Sequence, residues 1–206
     1  MPTVPTTAKG RRTRERVLEA AATVFSRDGY VEARMSDIAA EAGVSNGALY
    51  RYFDNKTQVF EALIGNLHNE FFELSGHTSH SLKDDPLRSI TEANRAYIEH
   101  YHANRHVMRA FIEAASVEES FRAILWQMRD RHVGRFVDAI RRAHAVDDLD
   151  GVPIHTASEA VSCMVEQCCY VWFAQESLGQ TTSVDDAVAT TSLVWYRAMF
   201  PGGAPK

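Results

Sequence analysis

The stretch RMSDIAAEAGVSNGALYRYF, residues 34–53, decides the fold of the first part of the chain. A short amphipathic segment is followed by Gly43, which can take the left-handed backbone that ends a helix. Ser45 comes two residues later and belongs to the residue types that cap helix N-termini. The pattern therefore predicts a helix, a tight turn and a second helix. Helical spacing turns four side chains of the second helix inward, those of Ala48, Leu49, Tyr52 and Phe53.

The outward side of the second helix is small, polar, aromatic and cationic, which is unusual for a face that meets only water. A helix-turn-helix lays its second helix in the major groove of DNA, with flanking groups on phosphates. The sequence fits that use. The predicted DNA contacts in this stretch and just after it are Ser45, Asn46, Gly47, Tyr50, Arg51, Tyr52 and Lys56.

This part of the chain resembles the signature of the TetR (tetracycline-repressor-like) family of transcriptional regulators. The matching positions are Asp37-Ile38-Ala39, Ala42-Gly43-Val44-Ser45, Gly47, Leu49-Tyr50, Tyr52-Phe53 and Lys56. Two positions depart from the family: Arg34 stands where a Thr usually caps the helix, and Ala48 where a Thr or Ser often contacts DNA. The resemblance implies a homodimer on a palindromic operator, a phosphate contact for Lys56 and a helical C-terminal domain.

The composition is that of an ordinary globular protein, with 45% hydrophobic and 24% charged residues in a chain of 206. No apolar run approaches the roughly 20 residues that a membrane span needs, and the first residues have no apolar centre for a signal peptide. We therefore expect a cytoplasmic protein without a membrane partner. Three cysteines crowd one apolar stretch and predict buried, reduced thiols, namely Cys163, Cys168 and Cys169.

The positive charge is concentrated at the N-terminus, although the whole chain has a net charge of -5. Residues 1–56 carry nine Lys and Arg against seven Asp and Glu, while the remainder is acidic. The Pro- and Thr-rich beginning includes Arg11 and Arg12, which we expect to reach phosphates or the minor groove. The alternative is a solubilising tail with no contact to DNA.

Helical periodicity continues through the rest of the chain and predicts an all-α fold of about nine helices. The first helix runs from about Arg12 to Arg27, with Gly29 as its end. Asn55 and Gln58 have the spacing of a capping box for a connecting helix that begins near Lys56. The expected domains are a DNA-binding domain over 1–56, a connecting helix over 57–75 and a C-terminal domain over 76–206. Further helices are predicted near 86–103, 105–115, 117–145, 154–178 and 184–199.

The last two predicted helices are apolar on more than one face, which indicates more than one packing partner. One interpretation is a core helix enclosed by its own chain. The other, which the resemblance implies, is a twofold four-helix interface between two copies. The predicted interface residues are Ala157, Val161, Val165, Cys168, Thr191, Val194 and Trp195.

The middle helices carry many aromatic rings and soft side chains, most of which must be core. A bundle attached to a DNA-binding domain commonly has a regulatory use, and a mostly apolar pocket is the usual form of a small-molecule site. The predicted pocket residues are Tyr97, Tyr101, Met108, Phe111, Trp126, Gln167, Tyr170 and Trp172.

Other chemistry has weaker support in the sequence. His102 and His106 are four residues apart, but Asn104 is expected to break the helix between them, so no metal site is predicted. The cysteines lie in an apolar segment, which argues against a redox switch. No phosphate-binding loop, nucleophile elbow or other catalytic motif is present, and no cofactor is predicted.

The sequence therefore predicts a homodimeric transcriptional regulator, a repressor that a small apolar or amphipathic effector releases from operator DNA. The connecting helix would transmit the effector's presence to the DNA-binding domain. The alternatives are a DNA-binding regulator without an effector, and a helical-bundle enzyme or carrier.

Overall fold

The computed structural model describes residues 7–144, 148–149, 151–175 and 182–200. Its first four helices are α1 (Ala8–Glu32), α2 (Met35–Glu41), α3 (Asn46–Leu49) and α4 (Lys56–Leu74). Helix α1 begins four residues earlier than predicted, because Thr7 caps it by accepting a hydrogen bond from Gly10 N at 3.1 Å. Gly29, predicted to end this helix, instead takes a left-handed φ of 74° and kinks it three residues before its last residue.

The next helices agree closely with the predicted ranges. They are α5 (Pro86–Ala103), α6 (Arg105–Val117), α7 (Glu119–His144), α8 (Ile154–Cys169) and α9 (Val184–Met199). Asn104 ends α5, as predicted. Ser183 caps α9 through a 3.0 Å bond from Asp186 N, which was also predicted from their spacing. A π-helical turn, Tyr170–Ala174, follows α8 directly, and the predicted end of that helix at residue 178 lies outside the described residues.

A very short pair of strands corrects the expectation of an entirely helical chain. Strands β1 (Asp148–Leu149) and β2 (Val152–Pro153) pair antiparallel, with Leu149 opposite Val152. Gly151, with φ 85°, supplies the tight turn between them. Two residues per strand give no periodicity to detect, so the pair is invisible in the sequence. The all-α fold class is nevertheless confirmed, because every other regular element among the described residues is a helix.

The chain forms two compact units that are not simple halves. The first unit contains residues 1–69 together with 106–122, and the second contains 70–105 together with 123–206. The chain therefore passes from one unit to the other within α4, at the start of α6 and within α7. The predicted domain boundaries near residues 56 and 76 do not include this return of the chain to the first unit.

The core of the first unit is an aromatic cluster built from distant parts of the chain. Phe25 of α1 lies 4.3 Å from Phe60 of α4, measured between ring centroids. Phe111 and Phe121 come from the returning segment and meet Phe60 edge-on at 6.5 and 5.3 Å. All four rings are fully buried. The segment 106–122 thus completes the core behind the helix-turn-helix.

The second unit has an apolar core and a small polar contact between helices. Its core cluster brings together buried side chains of α7, α8 and α9, namely Val133, Val137, Ile140, Ile154, Val161 and Met199. Asn94 of α5 donates a 3.1 Å hydrogen bond to Ser192 of α9, and both are buried. Because a buried amide without a partner is costly, this bond favours one alignment of the two helices.

Candidate nucleic-acid interface

The turn between α2 and α3 has the geometry that the sequence predicts. Gly43 takes a φ of 61°, and the amide of Val44 turns back to Ala39 O at 3.0 Å. Ser45 then accepts a 3.2 Å hydrogen bond from Ala48 N and caps α3. Arg34 precedes α2 without making a side-chain cap, as expected from its departure from the family pattern. The helix, the turn and the second helix are all confirmed.

Helix α3 and the residues after it separate into a buried and an exposed side. Leu49 and Phe53 are buried, and Ala48 and Tyr52 are partly buried, so the predicted inward stripe is present. The exposed side consists of Ser45, Asn46, Gly47, Tyr50 and Arg51. Tyr50 is 51% exposed, which is unusual for so large a ring on a small domain.

Gly47 has free space around its Cα within the protein. A Cβ built on this residue meets nothing within 4 Å, and the backbone φ does not lie in the left-handed range. Neither packing nor backbone conformation therefore requires glycine at this exposed helical position, where alanine would be more stable. An external surface that approaches the backbone closely would account for it.

Arg11 and Arg12 lie on the first turns of α1 and are exposed. This corrects the expectation that the first helix begins only near Arg12, because the helix already begins at Ala8. The first turn of α1 holds basic residues and no acidic ones. Cations are unfavourable at a helix N-terminus, and nearby phosphates would compensate for them.

Lys56 has a structural role that the sequence did not reveal. Its ammonium donates to three carbonyl oxygens near the end of α1, those of Tyr30, Val31 and Ala33, at 2.8, 2.7 and 3.2 Å. It also lies 4.7 Å from the centre of the Tyr30 ring. An ammonium has three donors, so these bonds account for all of them. The unfavourable position of a cation at the start of α4 is thus explained within the protein, without the predicted phosphate contact.

Asn55 and Gln58 form the predicted N-terminal cap of α4, with one change of partner. Gln58 N donates to Asn55 Oδ1 at 2.9 Å. The Gln58 side chain returns to the amide of Asp54, also at 2.9 Å, rather than to that of Asn55. This reciprocal pair fixes the start of α4 directly after the DNA-binding stretch.

Residues 17–63 match the family model described as "Bacterial regulatory proteins, tetR family". The matched range contains α2, the turn and α3. The N-terminal region of the chain is of the TetR family.

The curated relatives resemble the chain mainly in this N-terminal region. The "HTH-type transcriptional regulator TtgR" of Pseudomonas putida is 34% identical over 82 residues, or 40% of this chain and 39% of the relative. The "Probable acrEF/envCD operon repressor" of Escherichia coli is 31% identical over 87 residues, or 42% and 40%. The chain thus aligns with about two fifths of the length of these curated relatives.

The fold extends well beyond that aligned part. A crystal structure described as a "putative TetR-family transcriptional regulator from Rhodococcus sp." superposes with a TM-score of 0.76. The match covers 91% of this chain and 99% of the other at 22% identity. The TetR-family architecture therefore includes the C-terminal helices, where the sequences have diverged.

The eight predicted pocket residues are divided between the two units. Met108 and Phe111 belong to the first unit, and Phe111 is part of its aromatic core. Trp126 and Gln167 are exposed, Trp126 by 58%. Tyr170 accepts a 2.8 Å hydrogen bond from Gln175, and Trp172 lies 6.5 Å from Phe173. Tyr97 and Tyr101 are brought together, with ring centroids 6.2 Å apart, and Tyr170 is near enough to Tyr101 to raise the pKa of that phenol.

Tyr97 and Tyr101 lie among aromatic rings of the second unit. Phe71 of α4 contacts both rings, at 5.0 and 6.3 Å. Burial raises the pKa of both phenols, and the charge of Glu166 raises the pKa of Tyr97 further, so both hydroxyls stay protonated at neutral pH. Glu166 is paired with Arg129, whose guanidinium nitrogens lie 3.0 and 2.8 Å from one carboxylate oxygen.

The predicted dimer residues divide into core and surface. Val161, Val165 and Thr191 are buried within the single chain, and Thr191 Oγ1 donates to the carbonyl of Ala187 in its own helix. Ala157 and Trp195 pack partly against the apolar core of the second unit, and Cys168 is partly buried. Val194 is 45% exposed. Of the seven residues, Val194 is therefore the best placed to meet a second copy.

The cysteines carry no sign of redox chemistry. All three are free thiols, and burial raises the pKa of each one, most strongly that of Cys169. A protonated thiol is a poor nucleophile. Cys163 and Cys168 are only partly buried, which corrects the expectation that the whole group is enclosed.

The described residues contain neither a metal-binding group nor a membrane-spanning helix. No group of three or more His, Cys, Asp or Glu side chains is arranged to hold a metal ion. Among the same residues, no helix is long and apolar enough to cross a membrane.

Sequence reasoning missed the residues that hold the end of α1. No motif of the sequence marks Tyr30, Thr57, Glu113 or Glu118. Glu113 accepts a hydrogen bond from the backbone of Tyr30, 83 residues away in the sequence. No local pattern signals a pair so distant.

Proposed function

We propose that this chain is a sequence-specific DNA-binding transcriptional regulator that represses its target until a small apolar or amphipathic molecule releases it. The observation that carries the proposal is the exposed side of α3 and of the turn that follows it, where Asn46, Gly47, Tyr50 and Arg51 are exposed. The relatives that match this stretch are named as transcriptional regulators and an operon repressor. A regulator of this kind works on DNA in the cytoplasm and needs no catalytic group or cofactor.

The small exposed side chains of α3 allow a close approach to base edges. Asn can bond adenine in two places and Arg can bond guanine in two places, so this side can distinguish sequences. The basic first turn of α1 supplies flanking phosphate contacts, with Arg11 and Arg12 as the proposed residues. Ser45 accepts the cap hydrogen bond through its oxygen, so its O–H stays available to donate to DNA at the exposed start of α3.

We propose a homodimer on a palindromic operator, because a helix-turn-helix reads one half-site and closed dimers pair two. The proposed contact is the exposed side of α8 and α9. The exposed residues there are mostly small, with Thr156 and Ala160 on α8 and Thr190, Val194 and Ala198 on α9. Small side chains permit two helices to approach closely, which favours a helical interface between copies.

The proposed effector site centres on Tyr97 and Tyr101. Their rings share the neighbourhood of Phe71, which lies on the last turns of α4. The first turns of α4 belong to the unit that carries the helix-turn-helix. An effector that moves Phe71 would therefore act on a helix that continues into that unit, and by reciprocity DNA would weaken effector binding by the same factor.

The experiment that tests DNA binding begins with selection of a duplex from a random-sequence library by the parent protein. Tyr50→Ala should then weaken binding to the selected duplex by about 1–3 kcal/mol, the value of a base contact. The control is Trp126→Ala, which removes an equally exposed ring from the second unit. We expect it to bind DNA like the parent. If Tyr50→Ala binds the selected duplex as tightly as the parent at the same salt concentration, the DNA does not contact this side of the protein.

The effector proposal has its own test. Protein purified from its native host should retain a small molecule that native mass spectrometry detects. Adding that molecule to the complex with the selected duplex should release the DNA. A bound molecule that leaves DNA affinity unchanged would reject the repressor mechanism without touching the assignment of the DNA-binding surface.

A further inference from the structure

A group of polar contacts holds the point where the chain leaves α1 for the DNA-binding helices. We define the α1 clamp as Gly29, Tyr30, Lys56, Glu113 and Glu118, all of which belong to the first unit. Two of its members, the glutamates, come from the segment 106–122 and lie far in sequence from the helix-turn-helix.

The first contact of the α1 clamp is made at the kink. Gly29 has φ 74° and ψ -179°, so the helical hydrogen-bond pattern is interrupted there. The amide of Tyr30 donates instead to Glu113 Oε2, at 2.8 Å. A Cβ on Gly29 would lie 2.6 Å from the same oxygen. The carboxylate therefore fits against bare backbone, and glycine is required there both by conformation and by space.

The second contact holds the side chain of Tyr30. Its buried ring packs against Phe60 at 5.2 Å and against Phe121 at 5.1 Å. Its hydroxyl donates to a carboxylate oxygen of Glu118 and lies 3.1 Å from the hydroxyl of Thr57. Burial and Glu118 raise the pKa of Tyr30, which keeps this donor protonated at all physiological pH values.

The third contact is made by the side chain of Lys56. The Lys56 ammonium binds the carbonyls of Tyr30, Val31 and Ala33. Residue 34 follows immediately and precedes α2. The last residues of α1 are thus held by a cation on their carbonyls and by a carboxylate on the amide of Tyr30. These bonds fix the direction in which the chain enters the helix-turn-helix.

We infer that Glu113 and Glu118 are positioning residues for operator recognition, acting through Tyr30 on the orientation of α2 and α3. Aromatic packing tolerates small rotations, whereas hydrogen bonds to a backbone amide and to a hydroxyl are directional. Glu113 and Glu118 are partly buried, so these hydrogen bonds replace part of the hydration that their carboxylates lose. The inference rests on the proposed DNA-binding function and adds to it two residues that do not contact DNA.

The sign of the charge effect makes the inference testable. Removing a negative charge from the protein should raise its nonspecific affinity for DNA, since that affinity is electrostatic. A change of orientation should instead lower affinity for the selected duplex. The informative quantity is therefore the specificity ratio, which is the affinity for the selected duplex divided by that for a scrambled duplex at the same salt.

The experiment compares Glu113→Ala with Glu113→Gln in the full-length protein. The alanine variant loses the acceptor for Tyr30 N, and its specificity ratio should fall at least about tenfold, with scrambled-duplex affinity equal or higher. The glutamine variant keeps an amide oxygen as acceptor, and its ratio should stay within about threefold of the parent. Tyr30→Phe, which removes only the hydroxyl that meets Glu118, should give a smaller fall than Glu113→Ala.

The control for simple destabilisation is Ile64→Val, a buried core change in α4 that leaves the α1 clamp intact. All measurements are made well below the melting temperature of the least stable variant. The inference is overturned if Glu113→Ala keeps the parent's ratio, if Glu113→Gln loses as much as Glu113→Ala, or if Ile64→Val loses as much as either. Should the parent itself select no duplex, the proposed function fails at the first step, before any variant is compared.

Tyr30→Phe tests the role of Glu118 separately, whether or not Glu113→Ala folds. Its ring packing is unchanged, so a parent-like specificity ratio in this folded variant would reject a positioning role for Glu118. A reduced ratio at an unchanged scrambled-duplex affinity would support it.

Discussion

Gly47→Ala separates folding from DNA recognition at a single position. The residue lies in α3, is exposed, and has nothing within 4 Å of an added Cβ. Alanine is more favourable than glycine in a helix by about 0.5–1 kcal/mol. The free protein should therefore become more stable by about that amount, and its melting temperature should rise by about 1–4 °C for a chain of this size.

The same methyl group should weaken binding to DNA. If α3 lies in the major groove, the added Cβ occupies space between the helix backbone and the base edges. Disturbing a contact of this kind costs about 1–3 kcal/mol, which corresponds to a loss of about 5- to 150-fold in affinity. The gain in stability cannot compensate, because it acts equally on the free and the bound protein.

The matched control is Gly65→Ala. Gly65 lies in the interior of α4, and an added Cβ there also meets nothing within 4 Å. It should give the same kind of stabilisation and leave DNA affinity unchanged. Thermal unfolding and titration of the selected duplex measure both quantities for each variant. If Gly47→Ala becomes more stable and still binds the duplex like the parent, the placement of α3 against DNA is refuted.

Three other predictions follow from the positions of single charges. Lys56→Ala should lower the melting temperature by removing the donor to three carbonyls. The salt dependence of DNA binding should be unchanged. If the slope of log affinity against log salt concentration falls by about one, Lys56 contacts a phosphate. Val194→Glu should convert the proposed dimer to a monomer in sedimentation, because a charge buried in an interface is costly. The control is Val152→Glu, which should stay dimeric; Val152 is 47% exposed and Val194 45%. If both variants stay dimeric, the interface does not include Val194. Burial lowers the pKa of His132 below its ordinary 6.5, so the unfolded chain binds more protons and stability should fall as pH drops below about 6.5. His132→Asn should reduce that loss in melting curves at pH 7.5, 6 and 5, and an unchanged loss would locate it elsewhere, for example at His100.

The parts of the fold that could be read from the sequence are those determined by neighbouring residues. Gly43, Ser45 and the pair of Asn55 with Gln58 act within four positions, so their turn and caps were predictable. Ser183 is another case. Local hydrogen bonds of this kind depend little on the rest of the chain.

The parts that could not be read depend on long-range contacts. Glu113 and Tyr30 are 83 residues apart, and no periodicity indicates that 106–122 returns to the first unit. Trp126 is a large aromatic residue of the kind that lines pockets, but it is 58% exposed, because the described residues leave its side of α7 uncovered. Lys56 shows an intermediate case: the sequence revealed that its charge needed a partner, but not that the partner was the end of α1.

The two-segment make-up of the first unit limits how such regulators can be recombined. Exchanging residues 1–69 for those of a relative would transfer α1, the helix-turn-helix and the start of α4, but leave behind Phe111, Glu113, Glu118 and Phe121. The residues that replace Gly29 and Tyr30 would then contact carboxylates and rings that fit this chain's own residues 1–69. A functional chimera therefore has to exchange both pieces together, because the proposed DNA specificity depends on a unit built from two separate segments.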